Sequence, residues 1–350
     1  MGRQRVAVIL GGRSGEHEVS IVSARGVMAA LDPGRWEVVP IGISRAGTWL
    51  SPGETRALLD AGARAFQDAG TPVLRAVEAL AALDSCDVAF PLIHGTFGED
   101  GTLQGFLEMA GKPYAGAGVA ASAIGMDKAL MKALFREAGI PVARYSVIRS
   151  WEYTLAQNDS MSLIEHAIGY PCFVKPANGG SSVGITRARS REDLPAALAA
   201  AFAYDDKAVV EQAVTGREVE CSVLGNEDPQ VSIVGEIVPD REFYDYESKY
   251  SSTSTTELRI PAPITESAAR DVRELAIRMY RVMGCEGYAR VDFFLTSGDR
   301  VVANEVNTIP GFTSISMYPK LWEASGLGYS DLLTRILELA FERHERRSRR

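Results

Sequence analysis

The sequence has few cysteines and few histidines. Its four cysteines, Cys86, Cys172, Cys221 and Cys285, lie far apart and form no Cys-x-x-Cys motif, and the 350 residues include only four histidines. A structural zinc site or a disulfide framework needs such residues in clusters. We therefore expect neither, and the isolated cysteines indicate reduced thiols in a reducing compartment, the cytoplasm.

Long apolar runs and an excess of basic residues are also missing. The apolar run at 6–10 has five residues and ends at two glycines, whereas a membrane helix needs about 20 apolar residues and a signal peptide needs a longer run than this. Lys and Arg number 37 against 45 Asp and Glu, which gives a net charge of −8. We expect no signal peptide, no membrane association and no nucleic-acid partner.

The secondary-structure pattern divides the chain into three predicted domains. In residues 1–125, buried strands near 5–10, 36–43 and 88–93 alternate with helical stretches, which predicts an N-terminal open parallel α/β sheet. Residues 126–214 follow the order strand, loop, strand, helix and strand, which predicts an α+β module.

Residues 215–350 form the third predicted domain. A polar stretch at about 240–257 has almost no apolar periodicity, which is typical of a functional lid. A helix is predicted from Thr265, its N-cap, to 283, and a last helix begins near Ser330. We expect the Arg-rich end of that last helix to be solvent-exposed.

The strongest chemical signal is a predicted hairpin with its turn at 298–299. That turn would pair Asp292 with Glu305 and Arg290 with Asn307, all on one face of the sheet. Two carboxylates and an amide are hard-oxygen ligands suited to Mg²⁺, and without a cation the two carboxylates would repel each other. The alternative is an exposed hairpin with solvated acids.

Three glycine-containing loops are further candidates for a site. The loop 175–184 combines Lys175 with glycines and serines that could bind phosphate, although flexible hairpin tips have the same composition. The loops 11–18 and 94–101 follow parallel strands, where ligands bind in open α/β sheets. His94 in the second loop is a candidate substrate residue, although a lone histidine is more often structural.

Together these features resemble the D-alanine–D-alanine ligases of the ATP-grasp superfamily. The resemblance covers essentially the whole chain, and five motifs in the same order make it specific. The motifs are GGRSGEHEVS at 11–20, HGTFGEDG at 94–101, KP at 175–176 with GSSVG at 180–184, YDYESKY at 244–250 and NEVNTIPGFT at 304–313.

The resemblance implies a fold, an activity and partners. The fold would be a three-domain ATP-grasp architecture. The activity would be ATP-dependent ligation of two D-alanines through D-alanyl phosphate, for peptidoglycan synthesis, with two Mg²⁺ or Mn²⁺ ions. The enzyme would be a cytoplasmic homodimer.

It also implies a nucleotide site. The family's phosphate-binding lysines correspond to Lys128, Lys175 and Lys249, and its serine loop corresponds to Ser181 and Ser182. The adenine-binding segment corresponds to Glu211 and Val214, and the ribose-binding carboxylate to Glu218. Phe173 and Phe294 would sandwich the adenine, although as strand aromatics they could equally belong to the core.

For the substrates, the resemblance implies that Glu16 binds the ammonium of the first D-alanine and that Arg290 and the Gly311 N–H are the oxyanion donors. Ser316 would anchor the carboxylate of the second D-alanine, and Tyr250 would be the tyrosine of the lid. Asp292, Glu305 and Asn307 match the metal ligands, in agreement with the predicted hairpin.

Three other functions stay open at this point. A D-alanine–D-lactate ligase, or an ATP-grasp ligase with another acceptor, would share most of these residues. A dinucleotide-dependent oxidoreductase would explain the first α/β unit but not the acidic hairpin, and the glycine fingerprint is missing. A non-catalytic nucleotide sensor would not need Glu16, Arg290 and Ser316 together.

Overall fold

The computed structural model describes residues 2–61, 73–239 and 256–349, whose strands form three sheets. Lys249, Tyr250 and almost all of the predicted lid lie outside these residues. Among the helices in the described ranges, none combines the length and the apolar character needed to span a bilayer.

The first sheet is parallel and has the strand order β2-β1-β3. Strand β1 is buried on both faces: Val6 and Val8 pack into one apolar cluster, and Ala7 and Ile9 pack into another. Burial on both sides explains the continuous apolar run and confirms the predicted parallel sheet. Its elements are β1 (Gln4–Gly11), α1 (His17–Ala30), β2 (Trp36–Ile43), α2 (Pro52–Ala61), α3 (Val73–Asp84), β3 (Val88–Pro91), α4 (Thr102–Met109) and α5 (Val119–Met126).

The second sheet has four antiparallel strands in the order β4-β7-β5-β6. Helix α9 packs its buried alanines and leucines against this sheet. The elements are α6 (Lys128–Glu137), β4 (Tyr145–Arg149), α7 (Ser150–Leu155), α8 (Gln157–Ala167), β5 (Cys172–Pro176), β6 (Thr186–Ala188), a 3-10 helix (Arg191–Asp193), α9 (Leu194–Phe202) and β7 (Lys207–Gln212).

The third sheet has six strands, with β11-β10-β8-β12-β13 in a row and β9 paired with β8. The hydroxyl of Thr265 accepts a hydrogen bond from the Ala268 N–H, which confirms the predicted N-cap. The elements are β8 (Arg217–Leu224), β9 (Gln230–Val231), β10 (Gly235–Val238), β11 (Glu257–Arg259), α10 (Glu266–Val282), β12 (Tyr288–Thr296), β13 (Arg300–Asn307), α11 (Met317–Ala324) and α12 (Tyr329–Ser348).

Two helices pack against sheets from which they are distant in sequence. Met131 and Phe135 of α6 belong to the core of the third sheet, and Leu333 and Ile336 of α12 belong to the core of the first. Each sheet lies within one predicted domain, but these helices tie the three units together. The domain boundaries themselves stay a prediction.

The expectation that the Arg-rich end of α12 is solvent-exposed was right for Arg347 and Arg349 but wrong for Arg343. Arg343 is 3% exposed, and its guanidinium donates hydrogen bonds to the backbone carbonyls of Tyr114 and Gly116. Arg346 and Arg347 both contact the carboxylate of Glu286. A run of arginines does not by itself reveal that carbonyls and a carboxylate from distant segments lie opposite it.

Candidate active site

The acidic hairpin has the predicted register at its carboxylates. Strand β12 pairs antiparallel with β13, so that Asp292 lies opposite Glu305 and Arg290 lies opposite Asn307. All four side chains are partly buried and line one cavity. The alternative of an exposed hairpin with solvated acids is therefore wrong.

The predicted turn of this hairpin, in contrast, was wrong. Thr296 pairs with Arg300, so the connection has three residues, 297–299, rather than two. The register then shifts next to Asp292, because Asn304 is an extra residue on β13. A bulge of this kind adds one residue to one strand, and it restores the pairing that the simpler turn would have produced.

Asp292 is held by two neighbours. Arg290 donates from Nε to Asp292 Oδ1 at 2.8 Å and from Nη2 to Oδ2 at 2.7 Å, and Asn307 Nδ2 donates to Oδ2 at 2.9 Å. Burial by itself would lower the pKa of Arg290, but Asp292 and Glu220 raise it well above its ordinary value. The guanidinium therefore stays charged inside the site.

Glu220 is a site residue that the sequence interpretation missed. It is 3% exposed, and its Oε2 lies 3.3 Å from Arg290 Nε. It faces Asp292 across the pairing of β8 with β12. The acid itself was visible in the sequence, but nothing local indicated that these two strands are neighbours.

A second charged cluster centres on Glu211. Its carboxylate oxygens lie 2.9 Å from Lys175 Nζ and 3.2 Å from Lys132 Nζ. Burial would raise the pKa of Glu211, but the two lysines outweigh it and hold the pKa at about 2. Burial lowers the pKa of Lys132, whereas Glu211 raises the pKa of Lys175 despite its burial.

The sequence interpretation also missed Lys132, whose residue is 1% exposed. It follows Lys128 by four residues on α6, and this spacing puts both side chains on the same side of the helix. The spacing was a usable signal. The partner in the cluster, Glu211, was not predictable from it because that residue comes from β7.

The glycine–serine loop reaches across to the first unit. Lys128 Nζ donates to the Gly179 carbonyl at 2.6 Å, and the Ser181 hydroxyl donates to the carboxylate of Glu16. Ser181 and Ser182 have φ values of 49° and 61°. This left-handed conformation is unusual for residues other than glycine and is found in backbone turns that bind anions.

His94 is 2% exposed and has a partner at each ring nitrogen. Nδ1 lies 2.9 Å from the Ile309 carbonyl oxygen, and Nε2 lies 3.1 Å from Ser23 Oγ. Burial lowers the pKa of His94, so the ring is neutral near pH 7. It lines the same cavity as Glu16, and its role as a substrate residue stays a prediction.

Close packing restricts the segment that contains Gly311. A Cβ atom added there would lie 2.6 Å from Ser316 Oγ, closer than real side chains approach. Ser316 Oγ in turn accepts a hydrogen bond from the Thr313 N–H at 3.0 Å. A side chain at position 311 would therefore have to displace the hydroxyl of Ser316.

A cavity of about 1260 Å³ lies between the second and third sheets and extends to the first. Every predicted site residue within the described ranges lines it, and Lys249 and Tyr250 lie outside those ranges. Phe173 reaches the cavity from β5 of the second sheet, and Phe294 reaches it from β12 of the third. Two antiparallel sheets enclosing a cleft with lysines and paired carboxylates define an ATP-grasp ligase.

Comparisons with known proteins identify the family. The family model described as "D-ala D-ala ligase N-terminus" matches residues 5–117, and "D-ala D-ala ligase C-terminus" matches 134–338. The chain is 46% identical to a D-alanine–D-alanine ligase of Geobacillus thermodenitrificans, covering 98% of this chain and 97% of the relative, and 49% identical to one of Chlorobium chlorochromatii, covering 98% and 99%. The chain belongs to the D-alanine–D-alanine ligase family.

Solved structures agree with this assignment. The D-alanine–D-alanine ligase of Coxiella burnetii superposes with a TM-score of 0.83 at 36% identity, covering 99% of this chain and 98% of that one. The VanG D-Ala:D-Ser ligase of Enterococcus faecalis also gives 0.83, at 37% identity and with coverages of 97% and 100%. These similarities confirm the predicted ATP-grasp fold.

Proposed function

We propose that this chain joins two D-alanines into D-alanyl-D-alanine for peptidoglycan precursors, with ATP activating the first as D-alanyl phosphate. The observation that carries the proposal is that one cavity combines lysines able to bind phosphate with an acid, a guanidinium and a hydroxyl able to bind an amino acid. A nucleotide sensor would not need the second set.

The proposed nucleotide site occupies the cleft between the two antiparallel sheets. Phosphates would be bound by lysines and the serine loop, adenine by a strand end between two aromatic rings, and ribose by a carboxylate. The position of Phe173 and Phe294 on opposite walls supports this arrangement. The residues are Lys128, Lys175, Ser181 and Ser182 for phosphate, Glu211, Val214, Phe173 and Phe294 for adenine, and Glu218 for ribose, with Lys249 of the lid as a further phosphate ligand.

We propose Asp292, Glu305 and Asn307 as the ligands of two Mg²⁺ or Mn²⁺ ions. The described residues contain no group of three His, Cys, Asp or Glu side chains that could hold a metal, but two opposed acids and an amide suit a hard cation that also binds substrate phosphates. Asn307 donates its NH₂ to Asp292, which leaves its amide oxygen as an acceptor. When bound, the metal would neutralise charge on the transferring phosphoryl group.

The amino-acid half of the site would use three elements. Glu16 would bind the ammonium of the first D-alanine, with Ser181, Tyr250 and His94 around it. Arg290 donates to Asp292 from Nε and Nη2, and the N–H groups on its Nη1 could donate to an oxyanion. The Gly311 N–H would be the second donor, and Ser316 would anchor the carboxylate of the second D-alanine.

These groups suggest a two-step reaction. The first carboxylate is a poor electrophile, so its oxygen takes the γ-phosphoryl group of ATP and ADP leaves. The amine of the second D-alanine then attacks the acyl carbon, and the oxyanion that forms is stabilised by Arg290 and the Gly311 N–H. Phosphate leaves as the amide forms. Closure of the lid would keep water away from the acyl phosphate.

The acceptor distinguishes this proposal from the related ligases. Relatives named D-alanine–D-alanine ligase match the full chain, so D-lactate is not favoured, although one similar structure is a D-Ala:D-Ser ligase. The test supplies ATP, D-alanine and Mg²⁺ with equal D-lactate or D-serine, at pH 6 and pH 8. We expect the alanyl dipeptide as the main product, in larger yield at pH 8, where more amine is neutral. Ester or seryl product in excess at both values would contradict the proposal.

We also propose that the enzyme is a homodimer and works in the cytoplasm, as the family resemblance implies. Sedimentation of the full chain at micromolar concentration measures the first property. A monomer that retains full activity would contradict the homodimer.

A further inference from the structure

The segment 309–312, which contains the proposed oxyanion donor Gly311, is held from the first unit by side chains. Glu99 Oε1 accepts a hydrogen bond from the Ile309 N–H at 2.8 Å, and His94 Nδ1 lies 2.9 Å from the Ile309 carbonyl oxygen. Both side chains come from the loop after β3. Together they bind the two backbone groups of one residue 210 positions away from Glu99.

The other end of the segment is held in a similar way. The Phe312 N–H donates to Ser23 Oγ at 3.3 Å, and the Phe312 carbonyl accepts from the Tyr329 hydroxyl at 2.9 Å. A carbonyl oxygen only accepts, so His94 must carry its proton on Nδ1 and accept at Nε2 from Ser23. The hydrogen bonds from Phe312 through Ser23 and His94 to Ile309 then all run in one direction, and each donor has one acceptor.

We infer that Glu99 is a positioning residue that fixes the Gly311 N–H for oxyanion binding through the backbone of Ile309. This inference rests on the proposed function. An oxyanion donor is effective only when it is already aimed at the position where the charge develops. Gly311 lies between two anchored residues, and a displacement of about 1 Å at such a donor can cost roughly 100-fold in rate.

A carboxylate at Glu99 is suited to this task because each of its two oxygens accepts a backbone N–H. Oε2 accepts the Gly95 N–H at 2.9 Å, while Oε1 accepts the Ile309 N–H. Burial and the nearby charge of Glu16 raise the pKa of Glu99 to about 7. A glutamine at this position has only one acceptor oxygen, so it could not accept both N–H groups in this way.

The test uses Glu99→Gln with Asp100→Asn as a matched control. Asp100 also accepts two backbone N–H groups, those of Phe97 and Thr102, but both are within three residues of it in sequence. Single-turnover experiments with ATP, D-alanine and Mg²⁺ at pH 8 follow ADP and dipeptide separately. In Glu99→Gln we expect dipeptide formation, in which the Gly311 N–H stabilises the developing oxyanion, to fall about 10- to 100-fold. ADP formation, in which this N–H only helps to hold the carboxylate, should fall by a clearly smaller factor, so that ADP forms well ahead of dipeptide. In Asp100→Asn both steps should stay near wild type.

The inference is overturned if Glu99→Gln forms dipeptide at the wild-type rate, or if ADP formation and dipeptide formation slow by the same factor. It is also overturned if Asp100→Asn slows dipeptide formation more than ADP formation. A wild-type chain that forms no dipeptide would instead refute the proposed function. If Glu99→Gln does not fold, Ser23→Ala is the second variant, because it removes the hydrogen bond to the Phe312 N–H. It should also slow dipeptide formation more than ADP formation. Equal slowing of the two steps would again overturn the inference.

Discussion

Replacing Glu211 with Gln would remove a buried carboxylate that forms ion pairs with both Lys175 and Lys132. The two ammonium groups lie 2.9 Å and 3.2 Å from its oxygens, and Lys132 is 1% exposed. The variant keeps the shape of the side chain but leaves two buried cations without this anion. Breaking a buried ion pair on one side is strongly destabilising for this reason.

The magnitude follows from the pKa of Glu211, which is about 2 in the folded chain against an ordinary value of 4.5. At about 1.4 kcal/mol per pKa unit, the ionised carboxylate contributes about 3 kcal/mol to the free energy of unfolding at neutral pH. Repulsion between the two lysines adds to the loss. The folded pKa is depressed, so the contribution is complete above about pH 4.5 and is lost as the pH falls towards 2.

Urea unfolding of the ligand-free chain at pH 7 measures this difference. A control variant, Glu165→Gln, breaks the ion pair with Arg191, in which both side chains are 34% exposed, and it should cost less than about 1 kcal/mol. Repeating the series towards pH 4 should show the effect of Glu211→Gln beginning to shrink. A loss at pH 7 no larger than that of the control would refute the reasoning.

Two further predictions concern the substrates. Glu305→Gln keeps the shape of the side chain but removes one charge from the proposed metal site, so turnover should fall roughly 100-fold or more while the fold survives; near-normal activity at low Mg²⁺ would exclude Glu305 as a ligand. If Glu16 holds the ammonium while Arg290 and the Gly311 N–H hold the carboxylate, the methyl group has room on one side only. L-Alanine should then stimulate no ATP consumption, and ADP release comparable to that with D-alanine would show that the donor site is misassigned.

The hairpin illustrates how far local patterns reach. Alternation was enough to put Arg290 and Asp292 on one face of β12, and Glu305 and Asn307 on one face of β13, because side chains in a strand point to opposite sides in turn. The predicted turn was too short by one residue. The pairing of Asp292 with Glu305 came out right only because the bulge at Asn304, which has no clear mark in the sequence, makes up the difference. The five family motifs are also short local patterns, and because they occur in a fixed order they identified most of the site residues.

The sequence by itself determined the buried strands, the acidic residues on the two strands and the membership of the family, because these depend on periodicity and on short motifs. Only the tertiary structure decided that Lys132 meets Glu211, that Glu220 meets Arg290, that Glu99 holds Ile309, and that Arg343 docks on the carbonyl of Gly116. Periodicity indicates which face of an element is buried, but it carries no information about which distant element covers that face. A charged side chain looks the same in sequence whether water or a buried partner faces it.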